Sequence, residues 1–484
     1  MKKIVISFIF LFFGLINFSF SQETSSITCG TPGVDTTLAL YPRRFDLPDS
    51  ISRPRFWIHF TSAAGSIDSC SRSYAQTVAD DAESSWTYEC TNQGWLQPLS
   101  DGGGNSEDGR YDIYIQHLNG NIGGVTPRDG ASSYILIKNS LNNDHEIQYI
   151  VAHEFNHACQ WSYTTHQRPW IWEGTAAWIP QYVFPSAIQY SRDWENFQLD
   201  FSNQKITDVT FYNTISSLFF EFLKEWLNDL SIMRNIWTRM AVTGGTYPLT
   251  DINYILSQPP YSKSLTEALR NYAIWRNFTG LERADAYHFF QAYKYHTVHD
   301  TSFIGSFTQN NSSSSAKPSG PGGCRVWNVI TGVGTLKIFF DGQNNHNWAV
   351  FVIGMHTIDS SKIYEILPLN SPQDTGSISV STLGVDSITI VPVVLDTINA
   401  DTLTFSVTAT FTPGIPITFS NQIHGSDAGG KLLLDNIDTV ISSQSRNLVI
   451  GSPHVVRTLN ERITIPNDST YKHNNWNAIR SQDS

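Results

Sequence analysis

The sequence predicts a multidomain chain in which an α+β domain is followed by a β-sandwich-like region. Three observations carry that expectation. Strand-like and helix-like segments alternate up to Trp161, and after about Trp172 the pattern is helical to about residue 300. A low-complexity stretch, Asn310–Gly323, then reads as a linker. Beyond it the apolar period changes to that of half-buried strands.

The first segment reads as an address. Lys2 and Lys3 precede an apolar run from Ile4 to Ile16, and Ser19 and Ser21 suit cleavage before Gln22, so residues 1–21 read as a signal peptide. That run is too short to span a bilayer, and no later run approaches the roughly 20 apolar residues a spanning helix needs. The mature chain is expected to be secreted, free or at a cell surface, with no transmembrane segment.

Phe56–Phe60 is aromatic and β-branched, the pattern of a strand. Ser73–Trp86 follows as a helix, with Val78, Ala82 and Trp86 on one face. Tyr111–Gln116 alternates as a half-buried strand, and a glycine-rich connection over 120–130 leads to a second strand, Ser133–Lys138. Asn143 or Asp144 then caps a helix running from about Asp144 to Trp161. Ser216–Leu227, Ile232–Met240 and Leu265–Asn277 are the clearest later helices. Short strands recur at Leu336–Phe340, Ala349–Ile353, Ser387–Val391 and 403–411, and further ones in the last section before a polar tail. The expected organisation is a first domain over 22–308, a linker over 309–323, a β-sandwich over 324–415 and a small β-rich region over 416–484.

Composition sets the limits. Of 484 residues 40% are hydrophobic and only 15% charged, which excludes a disordered chain or a coiled coil. A net charge of −12 argues against nucleic acid as a partner. The five cysteines, Cys29, Cys70, Cys90, Cys159 and Cys324, leave at least one without a partner in the chain. A helix between Cys70 and Cys90 would hold them too far apart to join, which makes Cys29 the better partner for either. Cys159 reads as a small buried hydrophobe.

The chemistry sits in Val151-Ala-His-Glu-Phe-Asn-His-Ala158. His153 and His157 are four apart on a helix and share a face, so both imidazoles can grip one metal ion. Glu154 is offset by one position, which lets its carboxylate address an attacking water without ligating the metal. The second motif is Trp170-Ile-Trp-Glu-Gly-Thr-Ala-Ala-Trp178. It places Glu173 at the start of a following helix, where it can be a third ligand. The small residues Gly174, Thr175, Ala176 and Ala177 let that helix lie close beside the first, and Pro180 bends or ends it.

HEFNH followed by WEGTAAW resembles the gluzincin class of zinc metallopeptidases. The run from YDIYI through SYILIK, HEFNHACQW and WEGTAAW to SLFFEFL is similar to a group of secreted bacterial metalloproteases, over about residues 50 to 300. The resemblance implies a zincin-like fold with zinc held by His153, His157 and Glu173. It also implies a peptide substrate laid along an edge strand, here Ser133–Lys138. Zinc-activated water would be the nucleophile and Glu154 the general base, making the chain a zinc endopeptidase. The class stabilises its oxyanion with a downstream Tyr or His, for which Tyr212 is the candidate, with Tyr163 and His166 as rivals. One turn after Glu173, where thermolysin-like members carry an acid that orients a histidine, this chain has Ala177, so the outer support must come from elsewhere.

Trp161, Trp170, Trp172 and Trp178 crowd the motif and read as core packing, although they could also line a specificity pocket. Two other readings remain open on the residues alone. One is a zinc exopeptidase, which needs an acid to hold a substrate's α-amine. The other is a surface adhesive protein whose β-domains do the work and whose zinc site is vestigial.

Overall fold

The structure is a computed structural model. It describes residues 41–100, 109–166, 168–208, 216–280, 288–298, 318–330, 334–355, 374–382, 387–397 and 402–413, positions 369 and 385, and strand segments at 308–311, 362–365, 423–424, 433–434, 446–452 and 455–463. The signal peptide, Cys29 and Tyr212 lie outside the described residues. The chain is mixed α and β, with several sheets and a helical middle.

The first sheet has the order β1 (Asp49–Ser52), β2 (Phe56–Phe60), β3 (Tyr111–Gln116), β7 (Ile135–Lys138) and β4 (Gly124–Val125). β2, β3 and β7 run parallel, while β1 and β4 are antiparallel to their neighbours. A short hairpin, β5 (Arg128–Asp129) with β6 (Ser132–Ser133), lies between β4 and β7. The pleat sorts the side chains. Phe56, Ile58, Ile113, Ile115, Ile135 and Ile137 join the main core with α1 (Arg72–Trp86) and α2 (Asp144–Trp161), while Tyr114, Tyr134 and Leu136 form a small cluster of their own.

Two expectations change here. β3 is buried throughout, not half-buried, because Asp112 on its second face is charge-paired with Arg43 at 3.3 Å and bonded to His59 at 3.0 Å. The strand expected at the sheet edge, Ser133–Lys138, is interior: β4 covers it, pairing Gly124 with Ile137 and Val125 with Leu136. Two residues from a glycine-rich run carry little strand signal, so β4 was not legible as a strand.

The helices that follow are α3 (Pro169–Trp178), α4 (Pro180–Val183), α5 (Ile188–Asp200), α6 (Ser217–Leu227), α7 (Ile232–Thr243), α8 (Pro248–Ser257) and α9 (Leu265–Trp275). Beyond them stand two four-stranded antiparallel sheets. One has the order β13 (Thr375–Ser381), β10 (Gly334–Gly342), β15 (Phe405–Pro413) and β8 (Thr308–Asn311). The other has the order β12 (Lys362–Glu365), β11 (Trp348–Met355), β14 (Ser387–Val394) and β9 (Trp327–Ile330). Leu336, Ile338 and Phe340 of the first share one core with Trp348, Val350, Val352 and Ile390 of the second, the arrangement of a sandwich.

The second sheet buries its other face as well. Ala349, Phe351, Ile353, Val391 and Val393 belong to the main core with the helices, so β14 is apolar on both sides. Of the stretch expected as a linker over 309–323, residues 312–317 lie outside the described residues, and the described ends are tied to the fold. Residues 308–311 are a strand paired with β15, and 318–323 are buried against the helices. The Ser319 amide donates to Asn203 at 3.0 Å, and the Arg276 guanidinium donates to the Gly322 carbonyl at 2.6 Å. A Ser- and Gly-rich composition says nothing of such tertiary bonds, which is why the stretch read as a linker. Among the described residues of the last region, 423–424 pairs antiparallel with 433–434 and 446–452 with 455–463.

Candidate metal centre

Helix α2 begins where Asn143, in extended backbone, accepts the Glu146 amide at 3.0 Å. The helix is buried from Tyr149 to Trp161, with Ile150, Val151, Phe155 and Ala158 in the main core. That packing leaves His153 and His157, one turn apart, facing the same interior space. Helix α3 starts at Pro169, whose missing N–H costs nothing at the first helical position. It sets Glu173 one turn in, not at its first residue. Gly174 is small for α6 more than for α2, since a Cβ there would strike the Ser216 hydroxyl and the Phe220 ring. Thr175 faces α2 instead.

The three residues converge. His153 Nε2 and His157 Nε2 are 3.0 Å apart, and Glu173 Oε2 is 3.3 Å from the first and 3.5 Å from the second. All three side chains are at most 3% exposed. Burial pushes the Glu173 carboxyl up, but the two imidazoles beside it prevail and hold it down at about 2, so it is anionic. Burial, reinforced by the charge of His157, holds His153 down at about 4. At His157 burial works downward too, yet the Glu173 carboxylate outweighs it and the net shift is upward.

This donor set fits a zinc ion. Tetrahedral ligands about 2.0–2.1 Å from zinc lie roughly 3.3–3.4 Å from one another, which is the size of the triangle found. Glu173 Oε1 and His153 Nδ1 are buried without a hydrogen-bond partner among the described residues. The atoms that converge, the two Nε2 and Glu173 Oε2, are close enough together to share one cation. Among the described residues, His153, His157 and Glu173 are the one group of this kind.

An outer shell of amides supplies what Ala177 does not. His157 Nδ1 lies 2.7 Å from Gln160 Oε1. The Gln160 amide nitrogen has acceptors in Asn156 Oδ1 at 2.8 Å, the Trp172 carbonyl at 2.9 Å and Thr175 Oγ1 at 2.9 Å. With its NH₂ so engaged, Gln160 turns its carbonyl to His157, which places the imidazole proton on Nδ1 and the lone pair on Nε2. Asn156 is fixed in turn by donating to Glu89 Oε2 at 2.7 Å. Glu89 is fully buried on a π-helical turn, Thr87–Asn92, and burial raises its carboxyl well above the ordinary range. The Trp172 ring stacks on His157 at 5.9 Å between centroids.

Glu154 is held separately. Thr126 Oγ1 is 2.7 Å from Glu154 Oε2 and 3.0 Å from the Glu154 carbonyl. The Trp161 indole donates to the Thr126 carbonyl at 3.2 Å, tying that loop to the end of α2. Gly124 closes the fit, because a Cβ on it would lie 2.5 Å from Glu154 Cγ. The β4 turn is therefore built around this carboxylate.

Of the oxyanion candidates, Tyr212 lies outside the described residues. Tyr163 is buried against Trp95 and Trp237, and its hydroxyl accepts the Leu96 amide at 2.8 Å. His166 is exposed. Of the four tryptophans, Trp172 and Trp178 are fully buried, in keeping with packing. Thr126, Gln160, Asn156 and Glu89 were not singled out from sequence. Gln160, three residues after His157 on one helix, had a readable signal in that spacing. Thr126 had none.

No family model matches the chain, and no curated protein does. Among solved structures it is similar to the pre-peptidase C-terminal domain of a collagenase from Bacillus anthracis, at 7% identity, over 22% of this chain and 92% of that one, with a TM-score of 0.17. At that score the likeness bears on neither fold nor function.

Proposed function

We propose that the chain is an exported, zinc-dependent endopeptidase of the gluzincin type, with a zincin-like fold in its first domain. The observation that supports this best is the meeting of His153 Nε2, His157 Nε2 and Glu173 Oε2 at 3.0–3.5 Å. Those residues would hold the ion. When bound, zinc supplies a Lewis acid that polarises a carbonyl and acidifies water.

The chain's own groups do the rest. Glu154, steadied by Thr126, takes a proton from the attacking water and passes it to the leaving amine. Gln160 keeps the His157 ring in the tautomer that aims Nε2 inward. β4, one of the two edge strands of its sheet among the described residues and the one beside Glu154, would align an extended peptide by main-chain hydrogen bonds. An exopeptidase would need a further acid to hold an α-amine. Glu173 is engaged by the imidazoles and Glu154 by Thr126, so neither carboxylate is spare to hold an α-amine.

Export rests on the sequence of residues 1–21. No helix among the described residues is long and apolar enough to cross a membrane.

The test compares wild type with Glu154→Gln on a quenched peptide blocked at both ends, each protein assayed for zinc. Cleavage by wild type and its loss by roughly 10²–10⁴-fold in the variant, with zinc retained, is the expected result. Zinc-loaded wild type that leaves casein and the blocked peptide intact would favour a binding protein. Activity on free-end peptides alone would favour an exopeptidase.

A further inference from the structure

Cys90 and Cys159 are far apart in sequence and meet in the core. Their sulfurs are 3.7 Å apart and both side chains are buried, Cys90 on the π-helical turn and Cys159 on the inner side of α2. The two elements are already joined one residue earlier on the turn, where Glu89 accepts from Asn156. This contact differs from the pairing expected from sequence, in which Cys29 was the partner of Cys70 or Cys90. In the structure both are free thiols in contact, 3.7 Å apart against about 2.05 Å for a sulfur–sulfur bond.

We propose that Cys90 and Cys159 are joined by a disulfide in the exported protein. The bond would clamp the turn carrying Glu89 onto the helix carrying His157. Each thiol gives up its proton and the pair gives up two electrons. These pass to the disulfide of an oxidised thiol reagent, oxidised glutathione or an exchange enzyme, which leaves as two thiols. Because both sulfurs are buried, the bond forms while the chain folds, in the oxidising compartment that the signal sequence implies. The covalent loop so closed contains β3, β7 and α2 as far as the metal centre. Its length places the bond among those that restrict the unfolded chain strongly.

The pairing depends on export, not on peptidase activity, and its test separates them. The full chain is refolded in a glutathione redox buffer, denatured without reductant, alkylated and digested. The expected product is a linked peptide pair containing Cys90 and Cys159, two hydrogen masses below the sum of its parts, which separates on reduction. Alkylation of both cysteines in the unreduced sample, or linkage of either one to Cys29, Cys70 or Cys324, would overturn the pairing. Repeating the map on protein exported into a periplasm shows whether the cell makes the same bond. A linked pair in protein that cleaves no peptide leaves the disulfide standing and sinks only the peptidase. As a second measurement, the melting temperature of wild type should fall by several degrees on reduction. That of Cys90→Ala/Cys159→Ala should not respond; an equal response in both would count against the bond.

Discussion

Gln160 Oε1 stands 2.7 Å from His157 Nδ1, and three further groups hold the other end of the same amide. The metal-facing nitrogen of His157 is thus set by a neutral side chain one turn along its own helix. Removing that support should loosen the ligand without removing it. Gln160→Ala is expected to weaken zinc binding by about 10–100-fold, read by competition with a chromophoric chelator. Unchanged affinity would show that the amide network only packs.

Gly124 makes a prediction of another kind. A methyl group at this position must displace the Glu154 side chain, since the space is taken at 2.5 Å. Gly124→Ala should keep its zinc and its fold yet lose peptidase activity by about 10²-fold, as a misplaced reacting group does. Metal analysis, circular dichroism and turnover on one preparation check it.

How much of this was readable in advance follows from where the information lies. Helix α2 has the span expected from sequence, because a cap at Asn143 and an apolar stripe are local properties. The pairing of its histidines with Glu173 was legible from the spacing of the two motifs, whereas Gly174, read as making room for α2, makes room for α6. The edge of the sheet was not: β4 is two residues long and owes its place to Glu154 and β7, not to its own propensity. The segment 318–323 misled for the same reason, since its backbone bonds are to Asn203, Ile206 and Arg276, far away in sequence. Cys90 meets Cys159 because a π-helical turn carries it inward, and no periodicity announces such a turn.

A buried carboxyl away from the metal centre gives a pH prediction. Glu195 accepts from Gln181 at 2.9 Å and from Tyr295 at 2.8 Å. Burial, then the neighbouring Glu221, raise it from 4.5 to about 8. The unfolded chain releases this proton near 4.5 while the folded chain keeps it to about 8. In that window the unfolded state binds fewer protons, so stability is highest at the acid end and declines as pH rises. The slope from this one group is at most about 1.4 kcal/mol per pH unit. Urea midpoints across the window should show the decline in wild type and a flatter profile in Glu195→Gln.

The most direct measurement is the zinc content of purified wild type beside His153→Ala and Glu173→Ala. One tightly held zinc per wild-type chain, lost or greatly weakened in both variants while their circular dichroism stays native, is the predicted result. Wild type that retains no zinc after dialysis against zinc-containing buffer, or a Glu173→Ala variant that binds it as well as wild type does, would contradict the site.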